Sequence, residues 1–299
     1  MTASKRNDVL KLIALLTMLI DHIGYLFYPD MMIFRTIGRI AFPIFAYQLA
    51  QGFIHTSNRR QYASRLAIFG LISAIPYAFF NPQLNFDPLS MNIMFLLLMG
   101  AGAMALWELA ADTWKQKQDF KNRLWSGLFF VSWLLWMTLP RFLMTTFTDI
   151  SLPFLAEPFA LKLSYAGYGL WMMMLFYWFG KKPIIMLCSY IGLSIIGPLT
   201  DGYFAYAMAY MDVNTISYIG VIGYSISNFA ERLGDIVTLQ GGLANLQGFF
   251  FQSRSVLGLL VILLLRDRAF AFKMPKYVAY WFYPVHMTIL MLVLKFGLI

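Results

Sequence analysis

Two of the three histidines in this chain fall inside long apolar runs, and so do one aspartate and two arginines. Asp21 and His22 interrupt the first run, Arg35 and Arg39 the second, and His286 the last. Charge inside an apolar span costs roughly 2.5–3.5 kcal/mol per residue on insertion scales, so such residues mark function more often than other positions do. Imidazole titrates near pH 6.5 in its unperturbed state, so it can accept a proton in one step and return it in the next. Guanidinium stays charged and suits an oxyanion or a phosphate. Together these types point to acyl or phosphoryl transfer. Cys, His and Glu show no metal-ligand spacing, and no Walker, GxGxxG or GxSxG signature occurs.

Helical spacing determines which of these groups can meet. Thr17, Asp21 and Tyr25 recur every four residues and share one face. Asp21 and His22 are adjacent, about 100° apart, so each needs a partner on another helix. At about 1.5 Å per residue, Asp21 lies roughly 18 Å beyond Val9. Arg35 and Arg39 occupy one face of the second run at a similar depth, so either could pair with Asp21. Asn92 opens the fourth run, and His286 sits about halfway along the last.

The composition says what holds these groups. The 299 residues are 60% hydrophobic and 12% charged, against about 25% charged in an average soluble domain. A soluble protein could not cover that much apolar surface, and 28 Phe, 17 Tyr and 8 Trp exclude disorder. A single cysteine, Cys188, excludes a disulfide scaffold. The runs are solidly apolar and do not alternate as barrel strands would. The expected fold is therefore all-α: one integral membrane domain over 1–299, a polytopic bundle of about nine to eleven spans in the lipid bilayer.

Spans are expected at 9–28, 33–54, 63–80, 91–110, 124–143, 160–180, 183–206 and 278–298, with two or three more crossings within 214–266. That last stretch is broken by Glu231, Arg232, Asp235 and Arg254. The N-terminus imitates a signal peptide but is followed by no small-residue cleavage site, so an uncleaved first span is expected. Lys5, Arg6 and Lys11, then Arg59, Arg60 and Arg65, then Lys115, Lys117, Lys121 and Arg123, then Lys181 and Lys182 cluster in alternate connections. The intervening connections at 29–32, 81–90 and 201–213 carry no Lys or Arg. The positive-inside rule then puts the N-terminus and the 266–276 segment in the cytoplasm. It also accounts for the net charge of +9 without a nucleic-acid partner.

Residues 10–80 contain MLIDH, R-x-x-G-R-x-x-F-P-I-F from Arg35, and G-F-x-x-T-x-N-R-x-x-Y-x-x-R-L from Gly52. By these motifs the stretch resembles the TraX family. MNIMFLLLMG at 91–100 and YWFYPVHMTIL at 280–290 are similar too, and 164–179 more weakly so. The family includes the conjugation protein linked to pilin N-acetylation, and it is distantly similar to membrane acyltransferases that use acetyl-CoA. The resemblance implies that Asp21, His22, Arg35, Arg39, Asn92 and His286 stand at motif positions. Gln51 departs from an acid expected there.

The expected activity is that of an acyltransferase of the bacterial cytoplasmic membrane, which moves an acetyl group from acetyl-CoA to a peptide amine or a glycan hydroxyl. His22, with His286 second, would be the base or an acetyl carrier. Arg35 or Arg39 would face the oxyanion, and Asp21 would fix an arginine. Arg59, Arg60, Arg65, Lys181 and Lys182 would hold the phosphates of the CoA. A proton-coupled transporter using the same cluster is the alternative, and a non-catalytic assembly factor whose charges only clamp helices is a third reading.

Overall fold

A computed structural model describes residues 7–86, 90–116, 119–146, 162–163, 166–194, 252–275 and 277–297. The first apolar run forms helix α1 (Asp8–Phe27). Its N-cap, Asn7, accepts from the Leu10 amide at 3.0 Å and gives its own Nδ2 to the Leu265 carbonyl at 2.7 Å. One side chain thus closes a helix start and ties it to a distant helix end.

The second run, expected as one span over 33–54, is two helices. α2 (Met32–Gly38) ends at Arg39, and α3 (Ala41–His55) starts two residues later. Pro43 explains the division. A continuous helix would need an N–H from residue 43 to the Arg39 carbonyl, and proline has none and clashes with that oxygen. In the first turn of a new helix the missing donor costs nothing.

α4 (Arg59–Ala78) is capped by Asn58 and contains Pro76. α5 (Ile93–Lys115) is capped by Asn92, α6 covers Phe120–Thr146, and α7 covers Ala166–Phe179. α8 (Pro183–Ser194), α9 (Val256–Leu265) and α10 (Val278–Lys295, containing Pro284) complete the described helices. A short parallel pairing joins β1 (Ser90–Met91) to β2 (Lys162–Leu163), Ser90 opposite Lys162.

Three described helices, α1, α5 and α10, are long and apolar enough to cross a membrane. The expected span at 160–180 is shorter: α7 has 14 residues, about 21 Å. Of the stretch 214–266, where two or three crossings are expected, residues 214–251 lie outside the described residues, and α9 falls in the remainder. Apolar side chains also cover the outside of the bundle. On α10, Trp281, Val285, Ile289 and Leu292 form an exposed stripe at helical spacing, and Ile68, Leu71 and Ile75 do the same on α4. The chain is an all-α membrane protein whose outer face suits lipid.

The basic connections gather at one end of the bundle. Arg59 forms a two-pronged ion pair with Glu108 of α5, which also accepts from Tyr177 of α7 at 2.8 Å. Arg266 donates to the Gly180 carbonyl at 2.8 Å. Asp8, 2% exposed, accepts from Lys11 at 3.1 Å and from the Met274 amide at 3.0 Å. The α1–α2 turn and the end of α4 lie at the opposite end.

Candidate functional site

α1 and α2 fold back on each other as a tight hairpin. Gly24 lies against Phe34, and Gly38 lies so close to Asp21 that a Cβ there would coincide with the carboxylate. This close approach explains the glycine of R-x-x-G-R. The Asp21 Oδ2 accepts from Arg35 Nη1 at 2.9 Å, with side chains 14% and 27% exposed. Of the two partners open from spacing, Arg35 is therefore the hydrogen-bonded one. The Arg35 guanidinium also lies 5.4 Å from the centre of the Tyr25 ring. Asp21 Oδ1 is buried and makes no hydrogen bond.

His22 turns the other way, toward α10. Its Nδ1 is 2.7 Å from Nε2 of His286, and the two rings lie nearly parallel, 9° apart, with centroids at 4.9 Å. His286 Nδ1 is 2.6 Å from the Phe282 carbonyl oxygen. A carbonyl oxygen only accepts, so His286 carries its proton on Nδ1. In the neutral ring its Nε2 then holds a lone pair, and the proton between the rings belongs to His22 Nδ1. The remaining nitrogen of His22, Nε2, is left with an open lone pair. Three atoms in sequence, beginning with a backbone oxygen, thus fix the tautomer of His22 as that of a base.

A cavity of about 370 Å³ receives these groups, walled by Asp21, His22, Tyr25, Arg35, Arg39 and Phe80 among others. Arg39, 7% exposed, ends α2, where the backbone break places it. His286, 6% exposed, stands behind His22 and does not line the cavity. The structure thus separates the two histidines by position.

Asn92 stands apart from this cavity. It is 1% exposed, its Oδ1 accepts from the Met94 amide at 3.0 Å, and its Nδ2 donates to the Gly70 carbonyl at 2.7 Å. Both ends of its amide are spent on capping α5 and holding it to α4. Among the residues expected to hold phosphates, Arg60, Lys181 and Lys182 are exposed and Arg59 is engaged with Glu108. Arg65 alone of that set lines a cavity, a second one of about 400 Å³ at the basic end. Gln51 lines it as well, and Phe45 belongs to the wall of both cavities.

Sequence reasoning missed Phe80 and Tyr283, which line the first cavity and lie 4.8 Å and 6.4 Å from the His22 ring by centroid. Aromatic residues among 28 phenylalanines carry no signal of their own. Arg254, which breaks an apolar stretch in the sequence, donates to Thr36 of α2 at 2.6 Å.

The profile of the family described as TraX protein matches residues 6–231. The chain belongs to the TraX family. Over 96 residues this TraX-family chain is 33% identical to the "Probable fimbrial assembly protein FimC, serogroup H1" of Dichelobacter nodosus, covering 30% of this chain and 38% of that protein. Over 94 residues it is 34% identical to the "Uncharacterized protein RP591" of Rickettsia prowazekii (strain Madrid E), covering 31% of this chain and 34% of that protein. The chain thus spans little more than a third of either relative's length. No solved structure matches.

Proposed function

We propose that this TraX-family chain is a multi-pass acyltransferase of the bacterial cytoplasmic membrane, acetyl-CoA being the donor and an amine the acceptor. The observation that carries the reading is the ordered pair His286–His22, which leaves a lone pair on His22 Nε2 beside two arginines.

In the reaction, the acceptor nitrogen attacks the thioester carbonyl carbon and gives its proton to His22 Nε2. The tetrahedral oxyanion faces Arg39; one such donor is worth about 2.7–4 kcal/mol. Collapse breaks the C–S bond, and the departing thiolate takes the proton back from His22. Arg35, held by Asp21, keeps the wall positive. The fimbrial name of one relative fits a peptide acceptor, although the likeness covers 30% of this chain.

The test is purified protein with labelled acetyl-CoA and a peptide bearing a free N-terminus. His22→Ala is expected to lower transfer by about 10²–10⁴-fold, the contribution of a general base. Transfer unchanged by that substitution overturns the reading.

A second reading, a proton-coupled transporter, draws on the two cavities that meet at Phe45. It predicts uptake of solute by proteoliposomes under a proton gradient and no consumption of acetyl-CoA.

A further inference from the structure

The cavity at the basic end lies between α1, α3, α4, α5 and α10, with Arg266 closing it from the end of α9. Among the described residues its wall contains Lys11, Arg65 and Arg266, and no aspartate or glutamate. The three cations differ in what they already hold. Lys11 pairs with Asp8 at 3.1 Å, and Arg266 pairs with Asp267 at 2.9 Å. Arg65 has no ion pair among the described residues. Its Nε and Nη1 are buried without a hydrogen-bond partner, and its guanidinium lies 5.8 Å from the centre of the Tyr62 ring. Removing a guanidinium from water without an anion is costly, and two unsatisfied N–H donors add to that cost. A bound anion removes both penalties at once. Guanidinium offers forked donors that match phosphate oxygens.

We propose that this cavity is a phosphate-binding site for a pyrophosphate-bearing ligand, gripped by Arg65 with Lys11 and Arg266 supplying further charge. The assignment rests on the acyltransferase reading for the ligand's identity: the pyrophosphate of CoA sits here, and its arm points past Phe45 toward His22. Phe45 lines both cavities, so the two adjoin at that one side chain. The exposed Arg60, Lys181 and Lys182 are then not the phosphate ligands.

The experiment measures binding to the purified full chain in neutral detergent by calorimetry, with CoA, inorganic pyrophosphate and pantetheine as probes. CoA and pyrophosphate are expected to bind and pantetheine to bind at least tenfold more weakly. Arg65→Gln is expected to weaken CoA and pyrophosphate at least tenfold, and Arg65→Lys to recover part of the loss. Lys181→Gln with Lys182→Gln is expected to change neither. Should Arg65→Gln fail to fold, Lys11→Gln reads the same cavity, with an expected loss of several-fold. CoA binding unchanged in the variant that folds overturns the proposal, as does failure of the native chain to bind either phosphate probe. Phosphatidylglycerol vesicles form the third arm: binding to them that depends on Arg65, without binding of CoA, makes the anion a lipid headgroup and overturns the donor assignment. His22→Ala should leave CoA binding intact. Transfer that fails while Arg65-dependent CoA binding persists counts against the acyltransferase reading alone, and the reverse counts against the phosphate site alone.

Discussion

His22 Nδ1 and His286 Nε2 lie 2.7 Å apart although 264 residues separate them in the chain. The contact joins the first helix to the last, and it assigns unequal parts to two residues of one type. His22 faces the cavity, whereas His286 stands behind it and passes on the constraint of the Phe282 carbonyl. Partners that hold an imidazole in one tautomer recur wherever histidine serves as a base.

His286 should therefore act through His22 rather than on substrate. His286→Leu removes the acceptor that keeps the proton on His22 Nδ1, and acetyl transfer is expected to fall about 10²-fold, the scale of a misplaced reacting group. His286→Gln restores an acceptor and should recover part of that loss. The fall is expected in kcat, with the KM for acetyl-CoA nearly unchanged. Steady-state transfer kinetics on the two variants check this. Equal activity of both with the native chain would remove His286 from the machinery.

The hairpin of α1 and α2 predicts that Gly38 is intolerant. Gly38→Ala places a methyl group on the Asp21 carboxylate, so the ion pair with Arg35 must shift. Overpacking of this kind costs about 1–3 kcal/mol. Gly192, where an added Cβ would meet open space, provides the contrast, and Gly192→Ala in the last turn of α8 should be neutral or slightly stabilising. Thermal unfolding in detergent should show a lower Tm for the first and none for the second, and transfer should follow the same order.

Asn92→Ala separates support from chemistry. The variant loses the cap on α5 and the bond to Gly70, and about 1–2 kcal/mol of stability is expected to go with them. The rate per folded molecule should stay within a few-fold of the native value. Denaturant melts and active-site-normalised rates measure the two quantities separately. A rate loss as large as that of His22→Ala would restore Asn92 to the reaction.

Much of this arrangement is legible in the sequence. Charges and histidines within apolar runs stand out because lipid penalises them, so Asp21, His22, Arg35, Arg39 and His286 can be named without any knowledge of contacts. Helical spacing also yields the correct negative result that Asp21 does not orient His22. It cannot choose between Arg35 and Arg39, because that choice depends on where the chain breaks after Gly38, and Pro43 acts from five residues further on. Asn92 reads as chemistry because an amide at a helix start looks alike whether it caps or binds. Clustering ranks the basic residues, and clustering reports the membrane's preference for charge on one side. Burial, the property that sets Arg65 apart from Arg60, has no such signature.

Phe45 has an electrical consequence. A membrane holds a voltage, and a protein hollowed from both ends works against that barrier. Here the two hollows share one benzyl group in their walls, and the His22 imidazole stands on one side of it. On the proposed reading, the bulk of the ring at position 45 sets how closely a donor held on one side can approach the imidazole on the other.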